Sequence, residues 1–153
     1  MSSVWQFSFD WNVVFGHLVD LVLAYLLAIP IAWDRETKAR TAGLRTFPLV
    51  AVAACAYMLI GYQVLSSTDA EARVIQGLMT GMGFIGGGAI LKHRGSVHGT
   101  ATAASLWATG AIGLAVASNR LEIALLISIM TFLTLRYLKP ITGRDNGDDS
   151  NGD

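Results

Sequence analysis

Two groups of ionisable residues in this sequence could do chemistry, and each lies within or beside a long apolar run. His17 and Asp20 are one helical turn apart inside the first run. An ionisable side chain at that depth costs on the order of 2.5–3.5 kcal/mol on insertion scales, and by default it marks a functional position facing the interior of a helix bundle. The alternative is a helix that begins later, with both residues near the outer membrane surface. The sequence leaves both readings open.

The second group is a charged connection that follows the first apolar run. Residues 34–45 hold Asp34, Arg35, Glu36, Lys38, Arg40 and Arg45. The carboxylates could pair with Arg35 or Arg45 and so order the turn, or they could contact a cytoplasmic partner; ordering is the favoured role. The chain has no phosphate-binding loop and no histidine pair at metal-ligand spacing within a helix. We therefore expect a protein that is not an enzyme, with no catalytic residues and no cofactor, and we assign no metal ligands.

The elements that carry these residues are five apolar segments. The chain is 53% hydrophobic and 14% charged, and a membrane-crossing helix needs about 20 mainly apolar residues. Segments 13–33, 47–65, 74–91, 100–118 and 121–138 approach that length. The sequence predicts an all-α, polytopic bundle of five transmembrane helices. Its parts are a short external N-terminus (1–12), a membrane domain (13–139) and a disordered acidic tail (140–153).

The basic residues predict how this bundle is oriented. Nine of the 11 Lys and Arg residues fall before the second segment, between the third and fourth, or at the C-terminal end of the fifth and beyond it. Only Arg73 and Arg120 fall on the other side. Cytoplasmic connections carry an excess of Lys and Arg, so we expect the N-terminus outside and the C-terminus in the cytoplasm. The same bias accounts for the basic residues without nucleic-acid binding.

Small residues are concentrated in the third and fourth segments. They let membrane helices approach closely, so close packing of these two segments is the favoured reading. The alternative is a polar path lined by backbone carbonyls and by Thr80, Thr102 and Thr109. The residues predicted to pack are Gly77, Gly81, Gly83, Gly86 and Gly87 in the third segment, and Ser105, Thr109 and Gly113 in the fourth.

Three motifs occur in order along the chain. The first joins Asp34-Arg35-Glu36 to residues 42–46 (Ala-Gly-Leu-Arg-Thr), the second is the glycine-rich run 81–88, and the third is 95–107. Together they resemble the MgtC/SapB family of bacterial membrane proteins over most of residues 20–135. The resemblance implies a five-helix membrane domain in the bacterial inner membrane, without the soluble C-terminal domain that longer members carry.

The same resemblance implies a role in adaptation to low magnesium and, in pathogens, in survival inside host cells. A non-enzymatic regulator is the first hypothesis, acting through a membrane partner such as the F-type ATP synthase; homo-oligomers are a further expectation. The second hypothesis is a small transporter or channel for magnesium or another cation, supported by Asp20 and the glycine-rich third segment. Magnesium is usually held by one or two carboxylates and several waters, so one intramembrane Asp per chain favours the regulator.

Overall fold

Five helices and one short hairpin make up the part of the chain that the computed structural model describes, residues 10–38, 42–93 and 96–138. The chain is therefore all-α apart from the hairpin, as predicted. The elements are α1 (Trp11–Lys38), α2 (Thr46–Val64), α3 (Thr68–Gly88), β1 (Leu91–His93), β2 (Ser96–His98), α4 (Thr100–Ala117) and α5 (Leu121–Tyr137). Residues 1–9, the tail 140–153, Arg40 and Arg94 lie outside the described residues.

The bounds of α2, α4 and α5 agree with the predicted segments to within one residue. Helix α1 is longer than predicted at both ends, and α3 begins six residues earlier and ends three residues earlier than its predicted segment. Helix α1 continues to Lys38, so Asp34 and Glu36 lie on its last turns and not in a loop. Helix α3 begins at Thr68, because the Ser67 hydroxyl accepts a hydrogen bond from the Ala70 N–H at 3.3 Å. Such a cap satisfies one of the free N–H groups at the start of a helix.

The turn between α3 and α4 is an antiparallel hairpin in which Leu91 pairs with His98 and Lys92 with Val97. Gly99 follows with a φ of +88° and forms the N-cap of α4. That left-handed conformation favours glycine, and a Cβ at Gly99 would also overlap the carbonyl oxygen of Ala89. The hairpin and Gly99 together reverse the chain direction over a few residues.

Helix α4 is the centre of the bundle and contacts all four other helices. Its closest approach is to α2, where a Cβ on Gly113 would overlap the carbonyl oxygen of Ala51 and lie 2.9 Å from the backbone nitrogen of Cys55. Ser105 and Thr109 are also buried. The small-residue ridge of α4 thus brings it against a neighbour, as predicted, but at Gly113 that neighbour is α2 and not α3.

Helix α5 supports α1 near a proline. Pro30 has no N–H to donate to the carbonyl group four residues earlier. One residue further along, the Leu27 carbonyl accepts a hydrogen bond of 2.6 Å from the Ser128 hydroxyl of α5. Ala28 and Ala124 are fully buried, so small side chains let the two helices come close enough for this bond. Helix α1 then continues eight residues beyond Pro30.

Three of the described helices are long and apolar enough to cross a membrane: Trp11–Thr37, Thr46–Val64 and Thr100–Ala117. Helix α5 is shorter, at 17 residues. Helix α3 has 21 residues but is less apolar, with Asp69, Glu71 and Arg73 in its first two turns.

Candidate functional site

The first candidate site is a buried ion pair at the end of α1. The guanidinium Nη2 of Arg35 lies 2.6 Å from Oδ2 of Asp34, and both side chains are buried. The Arg35 Nε has no hydrogen-bond partner within the described part of the chain. A buried pair is costly to break, because removing one partner leaves the other as an uncompensated charge. We refer to the end of the bundle that holds Asp34, Glu36 and Arg45 as the charged end.

Glu36 connects α1 to the beginning of α2. Its Oε2 accepts a hydrogen bond of 2.8 Å from the backbone N–H of Leu44. Gly43 packs so closely on this carboxylate that a Cβ there would overlap Oε2. The Gly43 carbonyl in turn accepts hydrogen bonds from the N–H groups of Thr46 and Phe47 at 3.0 and 3.1 Å. The two halves of the first sequence motif therefore meet in space, through a backbone hydrogen bond and not through the predicted pairing of Glu36 with an arginine.

Arg45 does not join this network within the described residues. The sequence allowed it to pair with Asp34 or Glu36, but Asp34 pairs with Arg35 and Glu36 binds a backbone N–H. Arg45 is exposed. Its guanidinium therefore has no ion-pair partner among the described residues.

The second candidate site lies at the opposite end of the bundle. Nε2 of His17 on α1 and Nε2 of Gln63 on α2 form a hydrogen bond of 2.9 Å, and the Tyr62 and Ser118 hydroxyls form another of 2.9 Å. Asp20 is half-buried and lies within electrostatic range of Cys55. It has no hydrogen bond or ion pair with any residue in the described ranges.

The structure shows where helix α1 begins relative to Asp20. The alternative reading placed the start of the helix later, but α1 begins at Trp11, so that reading is wrong about the helix start. With a rise of 1.5 Å per residue, Asp20 lies about 21 Å from Asp34 along the helix axis. The sequence-predicted ionisable residues therefore form two separate sites at opposite ends of α1.

The described residues contain no group of three His, Cys, Asp or Glu side chains placed to hold a metal ion. Two of the three threonine hydroxyls of the predicted polar path donate hydrogen bonds within their own helices. Thr80 donates to the Gln76 carbonyl and Thr109 to the Ser105 carbonyl, each at 2.8 Å within its own helix. Thr80 is exposed, whereas Thr109 is buried, so these two hydroxyls do not line one path in the chain.

The glycine prediction for α3 needs correction. A Cβ on Gly86 would make ordinary contact with Ala103 of α4, at 3.4 Å from its carbonyl oxygen. A Cβ on Gly77, Gly81, Gly83 or Gly87 would meet no atom within 4 Å, so these four do not lie in the contact between α3 and α4. That contact depends instead on larger side chains. Met82 packs on Gly110, and Trp107 donates to the Met79 carbonyl at 3.3 Å.

Several polar contacts were not predicted from the sequence. The sequence allows Arg35 to pair with a carboxylate but does not predict that the pair with Asp34 is buried. Gln63 and Ser128 are isolated polar residues in apolar runs, and each reaches another helix. A polar residue inside an apolar segment usually needs a partner, and that signal could have identified both.

This arrangement defines a helical membrane protein whose polar sites lie at the two ends of its longest helix. The sequence model of the MgtC family matches residues 21–144, and the chain belongs to that family.

Three curated relatives are consistent with this family assignment. The protein named "Putative magnesium transporter YhiD" of Escherichia coli (strain K12) is 32% identical over 134 residues, covering 83% of this chain and 62% of that protein. Protein SrpB of Synechococcus elongatus is 32% identical, covering 85% of this chain and 77% of that protein. Protein MgtC of Salmonella typhimurium is 31% identical, covering 88% and 57%. The chain thus spans about three fifths of the length of YhiD and MgtC. No solved structure matches the chain.

Proposed function

We propose that this chain is a multi-pass protein of the bacterial inner membrane that acts as a non-enzymatic regulator in adaptation to low magnesium. The magnesium role is supported by family membership and by the name of the relative YhiD. The mode of action, contact with a membrane partner, is supported by the surface of α3. That surface is the single observation on which the proposal depends most.

Five crossings are consistent with the lengths of the helices. With 1.5 Å per residue, α3 spans about 31 Å and α5 about 26 Å, close to the 30 Å hydrocarbon core of a bilayer. Both pack along the central helix α4. With the N-terminus outside, the charged end of the bundle faces the cytoplasm, in agreement with the distribution of Lys and Arg.

Helix α3 has an outward face that the other described residues leave uncovered. Gln76, Thr80, Gly83, Phe84 and Gly87 are three or four residues apart, so they share one side of the helix, and all are exposed. Phe84 is 86% exposed. Gly86 is the one buried residue of α3.

Lipid is a poor solvent for this outward face. A polar side chain without a hydrogen-bond partner in hydrocarbon is costly, and Gln76 lies two turns inside α3. A partner helix could bond the Gln76 amide and approach closely at Gly83 and Gly87, because small residues permit such contact. We therefore assign the outward face to a membrane-protein partner, and the family resemblance proposes the F-type ATP synthase.

Site-specific crosslinking tests this assignment. A photoreactive residue is placed at Gly83 or at Gly87, where a side chain meets open space, and at the control position Met130, which is 66% exposed on α5. We expect adducts that contain a membrane subunit of the ATP synthase from positions 83 and 87 and not from 130, in cells grown at low magnesium. Equal adducts from all three positions, or none, would contradict the proposal.

Asp20 supports the second candidate, a cation transporter. It is an ionisable residue on a membrane-length helix, half-buried and without an ion pair in the described part of the chain. If subunits or conformations bring two such carboxylates together, they could hold a hydrated magnesium ion. Ion flux through liposomes separates the two candidates, as set out in the Discussion.

A further inference from the structure

A long apolar groove separates α2 from α3. Its volume is about 700 Å³, within the range of about 300–1,000 Å³ that ligand sites in proteins usually have. Leu49 and Tyr57 line it from α2, and Gly77 and Gly81 line it from α3. Arg45 stands at one end.

The groove exists because the two helices touch at one end only. Near their short connection, a Cβ on Gly61 would lie 3.7 Å from Val74, so the helices are in contact there. Toward the charged end they separate, and a Cβ on Gly77 or Gly81 would meet nothing within 4 Å. These two glycines point into the groove and are distinct from Gly83 and Gly87, which lie on the outward face of α3.

The dimensions of the groove match a hydrocarbon chain better than a helix. From Arg45 to Tyr57 it extends over 12 residues of α2, or about 18 Å, slightly more than the thickness of one leaflet, about 15 Å of hydrocarbon. A transmembrane helix would cross the full hydrocarbon core of about 30 Å. A groove of about 18 Å therefore matches an acyl chain within one leaflet better than it matches a membrane-crossing helix.

The charge of Arg45 at the end of the groove indicates what kind of lipid head group would bind there. Arg45 is exposed and forms no ion pair with the residues in ranges 10–38, 42–93 and 96–138, because the neighbouring Glu36 carboxylate binds the Leu44 N–H. A guanidinium presents paired donors that fit a phosphate. Basic pockets on the cytoplasmic side of membrane helices bind anionic head groups.

We propose that the groove is a lipid site: an acyl chain of an anionic phospholipid lies between α2 and α3, and its phosphate binds Arg45. In the topology proposed above, on which this inference rests, the lipid belongs to the cytoplasmic leaflet. The site lies beside the outward face of α3, so a bound lipid would also hold α3 at a fixed distance from α2.

Photolabelling tests the site. The full chain is reconstituted with phosphatidylglycerol or phosphatidylcholine that carries a diazirine on one acyl chain, and labelled peptides are mapped. We expect labelling of 49–57 and 77–85 to exceed labelling of the exposed face of α5, and to be several-fold stronger with phosphatidylglycerol. Arg45→Gln should remove that preference, whereas Arg73→Gln, a cation on α3 at the opposite end, should keep it.

Filling the groove provides the second arm. Gly81→Phe and, independently, Ala53→Phe on the α2 wall should reduce labelling several-fold, while Gly83→Phe outside the groove should not. Labelling of the α5 face equal to that of the groove, or labelling unchanged by both filling variants, overturns the proposal. So does a rapid disulfide between two Gly81→Cys chains in membranes, since a second copy would then occupy the groove. The crosslinking experiment at positions 83 and 87 tests the regulator proposal, and the photolabelling experiment tests the lipid site. Each proposal can therefore fail without the other.

Discussion

The carboxylate of Glu36 on α1 accepts a hydrogen bond of 2.8 Å from the backbone N–H of Leu44, eight positions later in the sequence. Gly43 lies against that carboxylate with no room for a side chain. In the first motif of this chain the acidic residue therefore closes the turn, and the glycine permits the close approach. This contact leads to a direct test.

Gly43→Ala is expected to lower the free energy of unfolding of the detergent-solubilised protein by about 1–3 kcal/mol, the usual cost of overpacking a filled site. The change is measured as a lower melting temperature. The new methyl group must displace Glu36 and break its bond to Leu44. Gly81→Ala is the matched control, because its Cβ meets no atom within 4 Å. Equal melting temperatures for the two variants would contradict the role of Gly43.

Gly113→Ala is expected to destabilise the protein more than Gly43→Ala does. Its Cβ would overlap backbone atoms of α2 at Ala51, and backbone cannot rotate away as a flexible side chain can. The central helix must therefore separate from α2, at a cost of about 2 kcal/mol or more. Gly83→Ala serves as the control and should not lower the melting temperature, because its Cβ meets no atom within 4 Å and alanine favours a helix more than glycine does. If Gly83→Ala destabilised the isolated chain as much as Gly113→Ala, the packing described here would be wrong.

Gly83 and Gly113 show what the sequence could predict and what it could not. The lengths of the apolar segments and the placement of charges predict the number of helices and the ordering role of the first motif. They also predict the bounds of three helices, α2, α4 and α5. The sequence also places Gly83 and Gly113 equally well in close contacts, because both belong to small residues four apart. Only the rotation of each helix about its axis decides which faces a neighbour, and that rotation depends on the packing of all five helices at once.

Burial of charge was equally hard to predict. Asp34 and Arg35 lie in a charged stretch of a kind that usually stays solvated, yet both are buried. Extension of α1 by five residues beyond the apolar run carries them into the bundle. Nothing in the local sequence signals this extension, since the charges and the approach to the glycine turn both favour a helix end.

Breaking the buried pair gives a third prediction. Arg35→Met should destabilise the protein by about 3–5 kcal/mol, because the buried Asp34 carboxylate loses the guanidinium that lies 2.6 Å from it. The double variant Asp34→Asn with Arg35→Met should recover part of that loss, giving a favourable coupling in a double-mutant cycle. The exposed pair Arg120–Glu122, at 3.9 Å, is the control; Arg120→Gln should change stability by less than about 1 kcal/mol. Additive losses at residues 34 and 35 would show that the pair does not act as a unit.

Ser128→Ala tests the contact between α5 and α1. The variant removes the hydrogen bond to the Leu27 carbonyl beside Pro30. Hydrogen bonds between membrane helices average about 0.6 kcal/mol and reach about 1.7 kcal/mol, so a small loss in thermal stability is expected. Ser118→Ala, which removes the bond to Tyr62 at the opposite end, gives a comparison of the two ends. A Ser128→Ala variant as stable as the parent would show that packing alone holds α5.

Asp20→Asn separates the two functions proposed for the chain. The side chain lies on the same face of α1 as the buried Ala24 and Ala28, and it has neither a hydrogen bond nor an ion pair with the described residues. Removing its charge should therefore raise the melting temperature, because a carboxylate within a membrane helix costs on the order of 2.5–3.5 kcal/mol. Asp10→Asn, at the exposed start of α1, should leave the melting temperature unchanged.

The same two variants are then compared for magnesium flux in liposomes. A regulator is expected to show no flux above protein-free vesicles for the parent chain or either variant. The transport hypothesis requires flux in the parent chain that Asp10→Asn keeps and Asp20→Asn abolishes, because a charge-free amide attracts a hydrated divalent cation far less than a carboxylate does. Flux with that dependence would reject the regulator as the primary function and place the ion path at α1. Flux unaffected by Asp20→Asn would instead remove this residue from either mechanism.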